Sequence, residues 1–352
     1  MDRLPLTIAE SLHLIPSVSA LDRAAPRIWC LDSVWIGPCS PDPVRHGALR
    51  REEFERLEAA IAADAPKDRR TSRLRREGRK NLDQDVLTAD DLRQRLEAFS
   101  PLLPIVVWTT SAWTDRLFLW WVCDALRRAE VDLDRVYVAE PSLSEDDPHR
   151  ASECLGIFNE PELAEASALA QPLTRELRDA SADLWLAFAG PDPTAFDRLR
   201  RLPSAALPRS CEPFRYGFPR RDPDGTLRLS ELDQRLLGFL REDEWRRPID
   251  LLIAASPDEP LLFPYRERFV GYRLQRWRER KSEEPYLISE PRPDGVNSFT
   301  RVAYRLSEGA KALADGIDSL SQAPPMEIGG CVAYVDPYVV EEDDGDWRIA
   351  RL

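Results

Sequence analysis

Four residues in the first half of the chain have the types and spacing to do chemistry: Asp32, Ser111, Asp115 and Arg116. Asp32 follows a short apolar run in "RIWCLDSVWIG" (27–37), and the other three lie in "TTSAWTDR" (109–116). A hydroxyl, two carboxylates and a guanidinium at the ends of strands could hold a phosphate-bearing ligand or serve a hydrolase or transferase. Free amide N–H groups where Thr109, Thr110 and Ser111 precede a helix could hold an anion. The plainer expectation is that Ser111 caps that helix and that Gly37-Pro38 makes an ordinary turn after Asp32. No Gly-rich phosphate loop and no G-x-S-x-G elbow accompanies these residues, which weighs against the enzyme reading.

The elements around them follow from the hydrophobic pattern. "PIVVWTTSAWTDRLFLWWVC" (104–123) is mostly apolar, but Pro104, Asp115 and Arg116 interrupt it. Charges near a bilayer centre cost about 2.5–3.5 kcal/mol each, so a membrane span is excluded. "PIVVW" instead has the continuous β-branched run of a strand buried on both faces. "AWTDRLFLWWVCDALRRA" reads as a helix with arginines in its last turn, where the dipole favours cations. "DRVYVAE" (134–140) is a second strand, which completes a βαβ unit of mainly parallel sheet. The run at 27–37 is expected in the same sheet. Residues 1–148 are thus an α/β domain, and its site candidates lie where strands end and ligands gather in open α/β sheets.

Residues 149–225 read as a helical segment, with Thr174 opening one helix and "GPDP" (190–193) ending it, followed by a proline-rich linker. From 226 to 320 come "LSELDQRLLGFL", "EWRRPIDLLIAA" and "PYRERFVGYRLQRWRERK" as three helices. Two strands, "PYLIS" and "SFTRVAYRL", and a closing helix, "SEGAKALADGI", follow. That order is winged-helix-like, an α+β domain whose third helix can enter a major groove. The third helix has seven basic and two acidic residues over 264–281, a net +5. Arg266, Arg273, Arg276 and Arg280 recur near one helical face and are candidates for an interaction surface. Residues 321–352 are expected to be a separate β-hairpin tail, with "EEDDGD" (341–346) as a solvated acidic turn.

Composition narrows the classes. A net charge of −13 over 352 residues opposes generic binding to anionic polymers, and a local basic face is the exception. A basic stretch, "APKDRRTSRLRREGRKNLDQD" (65–85), reads as a solvated insertion. Six cysteines without a CxxC and three histidines give no metal-ligand spacing. No metal and no cofactor is expected. The start lacks a charged leader with an apolar run, so the expectation is a cytoplasmic protein with reduced thiols.

Six stretches in order, "LDSVWIGP", "VVWTTSAWTDRLFLWW", "DLWLAFAGPDPTAF", "LSELDQRLLGFL", "YRLSEGAKALADG" and "IGGCVAYV", resemble a bacterial family. It is the domain of unknown function numbered eighteen thirty-five, and the resemblance spans nearly the whole chain. It implies that Ala9-Glu10-Ser11 replaces the family's Gly-Asp-Ser-like turn, which adds Glu10 and Ser11 to the candidates. It also implies that Ser111-Ala112 stands where the family has His-Asp, and Asp115-Arg116 where it has Asp-Gln. Ser11, Asp32 and Asp115 are then kept and the histidine is lost, so acid–base work by an imidazole is unavailable. The family's activity is unassigned. The resulting expectation is an accessory or regulatory protein that binds another protein, with an enzyme at the strand ends and a DNA-binding regulator as the rivals.

Overall fold

The β-branched run at 105–108 is a strand, and it lies at the centre of a parallel sheet. The structure, a computed structural model, describes residues 6–10, 27–30, 37–64, 92, 94, 96, 103–110, 112–141, 158–202, 211–241, 244–254, 267–280, 285–292, 302–311, 320–343 and 345–352. The protein is a mixed α/β chain. It divides into two compact units, one of residues 1–51 and 82–211, the other of residues 52–81 and 212–352.

In the first unit β1 (Leu6–Glu10), β2 (Arg27–Cys30), β3 (Ile105–Trp108) and β4 (Val136–Ala139) run parallel. A short β5 (Gln171–Pro172) closes the edge antiparallel to β4, and the order is β2-β1-β3-β4-β5. All four residues of β3 are buried. Val106 and Trp108 pack with Ala139, Phe158, Leu163 and Ala166, the last two on α3 (Glu160–Ala168). Ile105 and Val107 point the other way by strand alternation and are equally enclosed. A strand covered on both faces has no polar side to alternate with, which explains its unbroken apolar sequence.

Helix α2 (Trp113–Arg128) joins β3 to β4 and packs on α4 (Arg175–Ala189), which packs on α5 (Pro193–Arg200). Trp113, Trp120, Phe188 and Phe196 meet there, with ring centroids 5.7–6.1 Å apart. Side chains set the helix starts. Asn159 and Glu162 form a capping box at α3, Thr174 accepts the Leu177 N–H at α4, and Asp192 accepts the Thr194 N–H at α5. The helical segment expected to stand apart therefore belongs, up to Cys211, with the sheet unit. Its amphipathic helices bury their apolar faces against α2.

Helix α1 (Pro43–Asp64) contains the division between the units, at Arg51 and Glu52. The basic run at 65–85 lies outside the described residues, as do residues 203–210 of the expected linker. The rest of that linker is a structured part of the second unit. Phe214 and Phe218 are buried and in contact, and β6 (Arg220–Arg221) and β7 (Leu227–Arg228) form a hairpin around Gly225, whose φ is +86°.

The second unit continues with α6 (Glu231–Phe239), α7 (Pro248–Ala254) and α8 (Glu267–Glu279), then the antiparallel pair β8 (Leu287–Pro291) and β9 (Val302–Leu306). Arg246, between α6 and α7, adds a one-residue third strand by pairing with Tyr304 through both backbone bonds, 2.9 and 2.8 Å. The expected closing helix begins with a 3-10 turn, Glu308–Ala310, and residues 312–319 lie outside the described residues. The tail is not a separate piece. β10 (Met326–Gly329) pairs with β11 (Cys331–Ala333), while β12 (Tyr338–Asp343) pairs with β13 (Asp346–Arg351) and with β6. The acidic stretch at 341–346 is the tip of that hairpin, and Glu341 pairs with Arg221 and Arg348.

Candidate functional site

The strand order decides where a ligand site can form in the first unit. β1 has β2 on one side and β3 on the other, so the chain turns opposite ways from that point, and the crevice outside the carboxyl ends of β1 and β3 is the switch point. The sequence candidates fall on this edge. Glu10 is level with Cys30 on β2, and the β1–β3 register brings it level with Thr109. Ser11, Asp32 and Ser111 lie outside the described residues, and of Glu10 only the backbone position is described.

Asp115 does a different job from the one its type suggested. It is 1% exposed, and its Oδ2 accepts a hydrogen bond from Thr110 Oγ1 at 2.7 Å. Thr110 Oγ1 in turn accepts the Ala112 N–H at 3.0 Å, and Thr109 Oγ1 donates to the Asp115 carbonyl at 3.2 Å. The N-cap of α2 is Ala112, which makes no side-chain cap bond. The helix start is bonded by Thr110, two residues before the N-cap, and Asp115, in the first turn, while the cap expected of Ser111 falls outside the described residues. A carboxylate in a helix's first turn is favoured by the dipole and here also locks the turn. Asp115 is buried and hydrogen-bonded, so it holds the β3–α2 turn in shape.

Arg116 is the next side chain along, and it forms an ion pair with Glu140 just past β4. Its side chain is 15% exposed and that of Glu140 is 41% exposed. Its Nε is buried without a hydrogen-bond partner. Among the described residues this pair is the charged group of the edge that reaches solvent, between the carboxyl ends of β3 and β4. Among the described residues no cluster of His, Cys, Asp or Glu could hold a metal ion.

In the second unit the described arginines of α8, candidates for an interaction surface, bond to the protein's own groups. Arg273 is wholly buried, and its Nε and Nη2 donate to Asp233 on α6 at 2.7 and 2.6 Å. Trp277 Nε1 donates to the same carboxylate at 2.8 Å, and Tyr334 Oη donates at 2.6 Å. Ser230 Oγ also reaches Asp233, and the Ser230 N–H donates to Tyr334 Oη. Arg273 Nη1 donates to the Pro325 carbonyl at 2.9 Å. Burial by itself would raise the Asp233 carboxyl, but the Arg273 charge and these bonds outweigh it and hold it below its ordinary value. Burial, then the Asp233 charge, push the Tyr334 hydroxyl well above its ordinary value, so it stays a donor.

The remaining arginines of the helix are also held internally. Arg276 lies 3.7 Å from Glu279, Arg278 donates to Ser289 at 3.1 Å and Arg280 donates to the Ser321 carbonyl at 2.8 Å. Arg266 lies outside the described residues. From Val270 to Arg280 only Glu279 is exposed. A period of 3.6 finds a shared face, but it does not say whether that face meets solvent or a buried carboxylate. Asp233 carried the missing signal. It lies three residues after the Ser230 cap on an otherwise apolar helix face, and such a carboxylate must find a cation when buried.

Among the described residues the thiols are enclosed. Cys39, Cys123, Cys211 and Cys331 are buried and form no disulfide. Burial pushes the Cys123 thiol up to about 12 against an opposing bond from Ser181, so it is not a nucleophile at neutral pH. No described helix is long and apolar enough to cross a membrane. No protein-family model matches the chain and no curated protein matches it.

Proposed function

We propose that the protein is an accessory or regulatory binding protein of the cytoplasm, related to the eighteen-thirty-five family, whose second unit is a winged helix that docks on another protein. Support for the winged helix comes from the order α6, Arg246 strand, α7, α8, β8, β9, with three antiparallel strands beside three helices. One observation carries the choice of partner: the arginines of α8 that are described are bonded to the protein's own groups, with Arg273 at 0% exposure. A recognition helix must offer free cations to phosphates, and each contact adds about 0.9 to the slope of log affinity against log salt. With a net charge of −13, the chain lacks that electrostatic footing. Fluorescence anisotropy of labelled duplex DNA with the whole protein over a salt series tests this. The expected result is no saturable binding near physiological salt. Tight binding that weakens steeply with salt overturns the reading.

A second reading is favoured by the strand order. The first unit binds a small polar, phosphate-bearing ligand outside the ends of β1 and β3, near the end of β1 at Glu10 and the Arg116–Glu140 pair. Thermal unfolding against a panel of nucleotides and sugar phosphates is the measurement. The reading requires a ligand-induced rise that Arg116→Ala abolishes; rises that survive this substitution place the ligand elsewhere.

A further inference from the structure

In the winged-helix unit the charge of the Arg305 guanidinium is left without a carboxylate, and its surroundings say what would answer it. Arg305 on β9 lies over the Trp245 ring at 4.9 Å, and its Nε has no hydrogen-bond partner. Among the described residues no carboxylate pairs with it. The acidic side chains closest along the neighbouring strands are already engaged, Glu244 with Arg246 and Glu290 with Arg292, each at 2.8 Å.

The register places this arginine in a row. Arg246 pairs with Tyr304, so Trp245 comes opposite Arg305, and Arg305 pairs directly with Ile288. Directly opposed residues of an antiparallel pair project from the same face. Trp245, Arg305 and Ile288 therefore cross three strands side by side. On the opposite face of β9 Tyr304 and Leu306 are buried, and on the row's own face Ala303 is buried too, so the row opens to solvent at its Ile288 end. Ile288 is 36% exposed there, and Trp245 and Arg305 are half-buried.

We propose that this row is the docking site of the partner protein, and that it takes an acidic peptide segment in which carboxylates alternate with apolar side chains. The inference rests on the protein-binding reading above and deepens it. The charge complementarity is specific: one stacked guanidinium without a carboxylate, flanked in the strand-to-strand direction by an indole and an aliphatic side chain. Stacking on Trp245 fixes the guanidinium plane, so less rotamer freedom is lost when a carboxylate binds. A nucleic acid would want several free cations along a backbone track, and the neighbouring arginines are paired.

The probe is a fluorescein-labelled twelve-residue peptide of alternating Asp and Leu, titrated into the whole protein by anisotropy. Peptides with Asn or Lys in place of Asp serve as controls. The expected result is saturable binding of the Asp peptide, weakened by salt, at least about tenfold tighter than either control. Arg305→Glu should weaken it by about tenfold or more, and so should Ile288→Glu, a change on an exposed edge that spares the Trp245 stack. Retained thermal unfolding of both variants distinguishes lost docking from lost fold. Binding unaffected by either variant overturns the row while leaving the protein-binding reading in place. Absence of binding, or equal binding of the Asn peptide, overturns the acidic ligand. Displacement of the peptide by duplex DNA overturns both the inference and the reading beneath it.

Discussion

Asp233 shows what a single buried carboxylate does when every lone pair is used. Arg273, Trp277, Tyr334 and Ser230 all reach it, and both members of the Asp233–Arg273 pair are fully enclosed. Removing one partner of such a pair leaves a buried charge alone and costs about 3–5 kcal/mol. Arg273→Met should lower the urea-unfolding free energy by that order. The pH dependence follows from the depressed Asp233 value. Its contribution is complete above the unfolded carboxyl value of about 3.9 and is lost as pH falls through the lower folded value. Urea unfolding at stepped pH should show this acid loss, and Asp233→Asn, lacking the charge, should show a shallower one. A loss of equal steepness in that variant would place the titrating group elsewhere. At the other end of the chain, Thr110→Val removes the donor to Asp115 and the acceptor for the Ala112 N–H at constant shape. The expected cost is about 1–3 kcal/mol, read by the same unfolding assay. Of the candidate residues, Glu10 ends β1 and Asp115 lies in the first turn after β3, and parallel strands share their carboxyl ends. The sequence could not tell a ligand-binding Asp115 from a turn-holding one, since both want a carboxylate in the first turn of a helix.

At the scale of elements, legibility followed from periodicity. The strand at 105–108, the helix from 113 and the strand at 136–139 were plain because each has one dominant period and an apolar face or core. The stretch after Pro208 was misread as linker because two-residue strands are too short to alternate. Their place in the fold comes from β12, whose Val340 is opposite Arg220 and more than a hundred residues away. A glycine in that stretch marks the contact. A Cβ built on Gly217 would come 2.3 Å from Ile328 Cδ1 on β10. Gly217→Ala should cost about 1–3 kcal/mol through overpacking. Ile328→Val removes the offending methyl group, so the double variant should recover part of that loss in a double-mutant cycle. Strictly additive losses would mean that the two sites do not meet.

At the scale of the whole molecule, the order of segments along the chain is not the order of the units. The sequence suggested that residues 226–320 form a domain with a tail behind it. Yet Tyr334 reaches back to Asp233, and Arg56 on α1 lies over the Tyr272 ring at 5.0 Å while pairing with Glu53 and Glu327. No local pattern records such pairings, because each partner looks like an ordinary surface charge in its own segment. A fragment of residues 226–320 lacks both Tyr334 and Arg56. It should therefore melt less cooperatively and at a lower temperature by circular dichroism than a whole chain in which these contacts are intact. A fragment melting as sharply and as high as the second unit of the full protein would show the outer pieces to be dispensable.

The joining of residues 52–81 with 212–352 also sets a timetable. Synthesis runs from one end, at about 5–20 residues per second. Arg56 leaves the ribosome 271 residues before Glu327, a wait on the order of 15–50 s at that pace. During that time the intervening residues 82–211 can complete the first unit, while the later part of α1 has no docking surface to cover it. The nascent chain thus carries an unpaired helix segment through most of its manufacture, and it is in that interval, rather than in the finished protein, that a chaperone has something to hold.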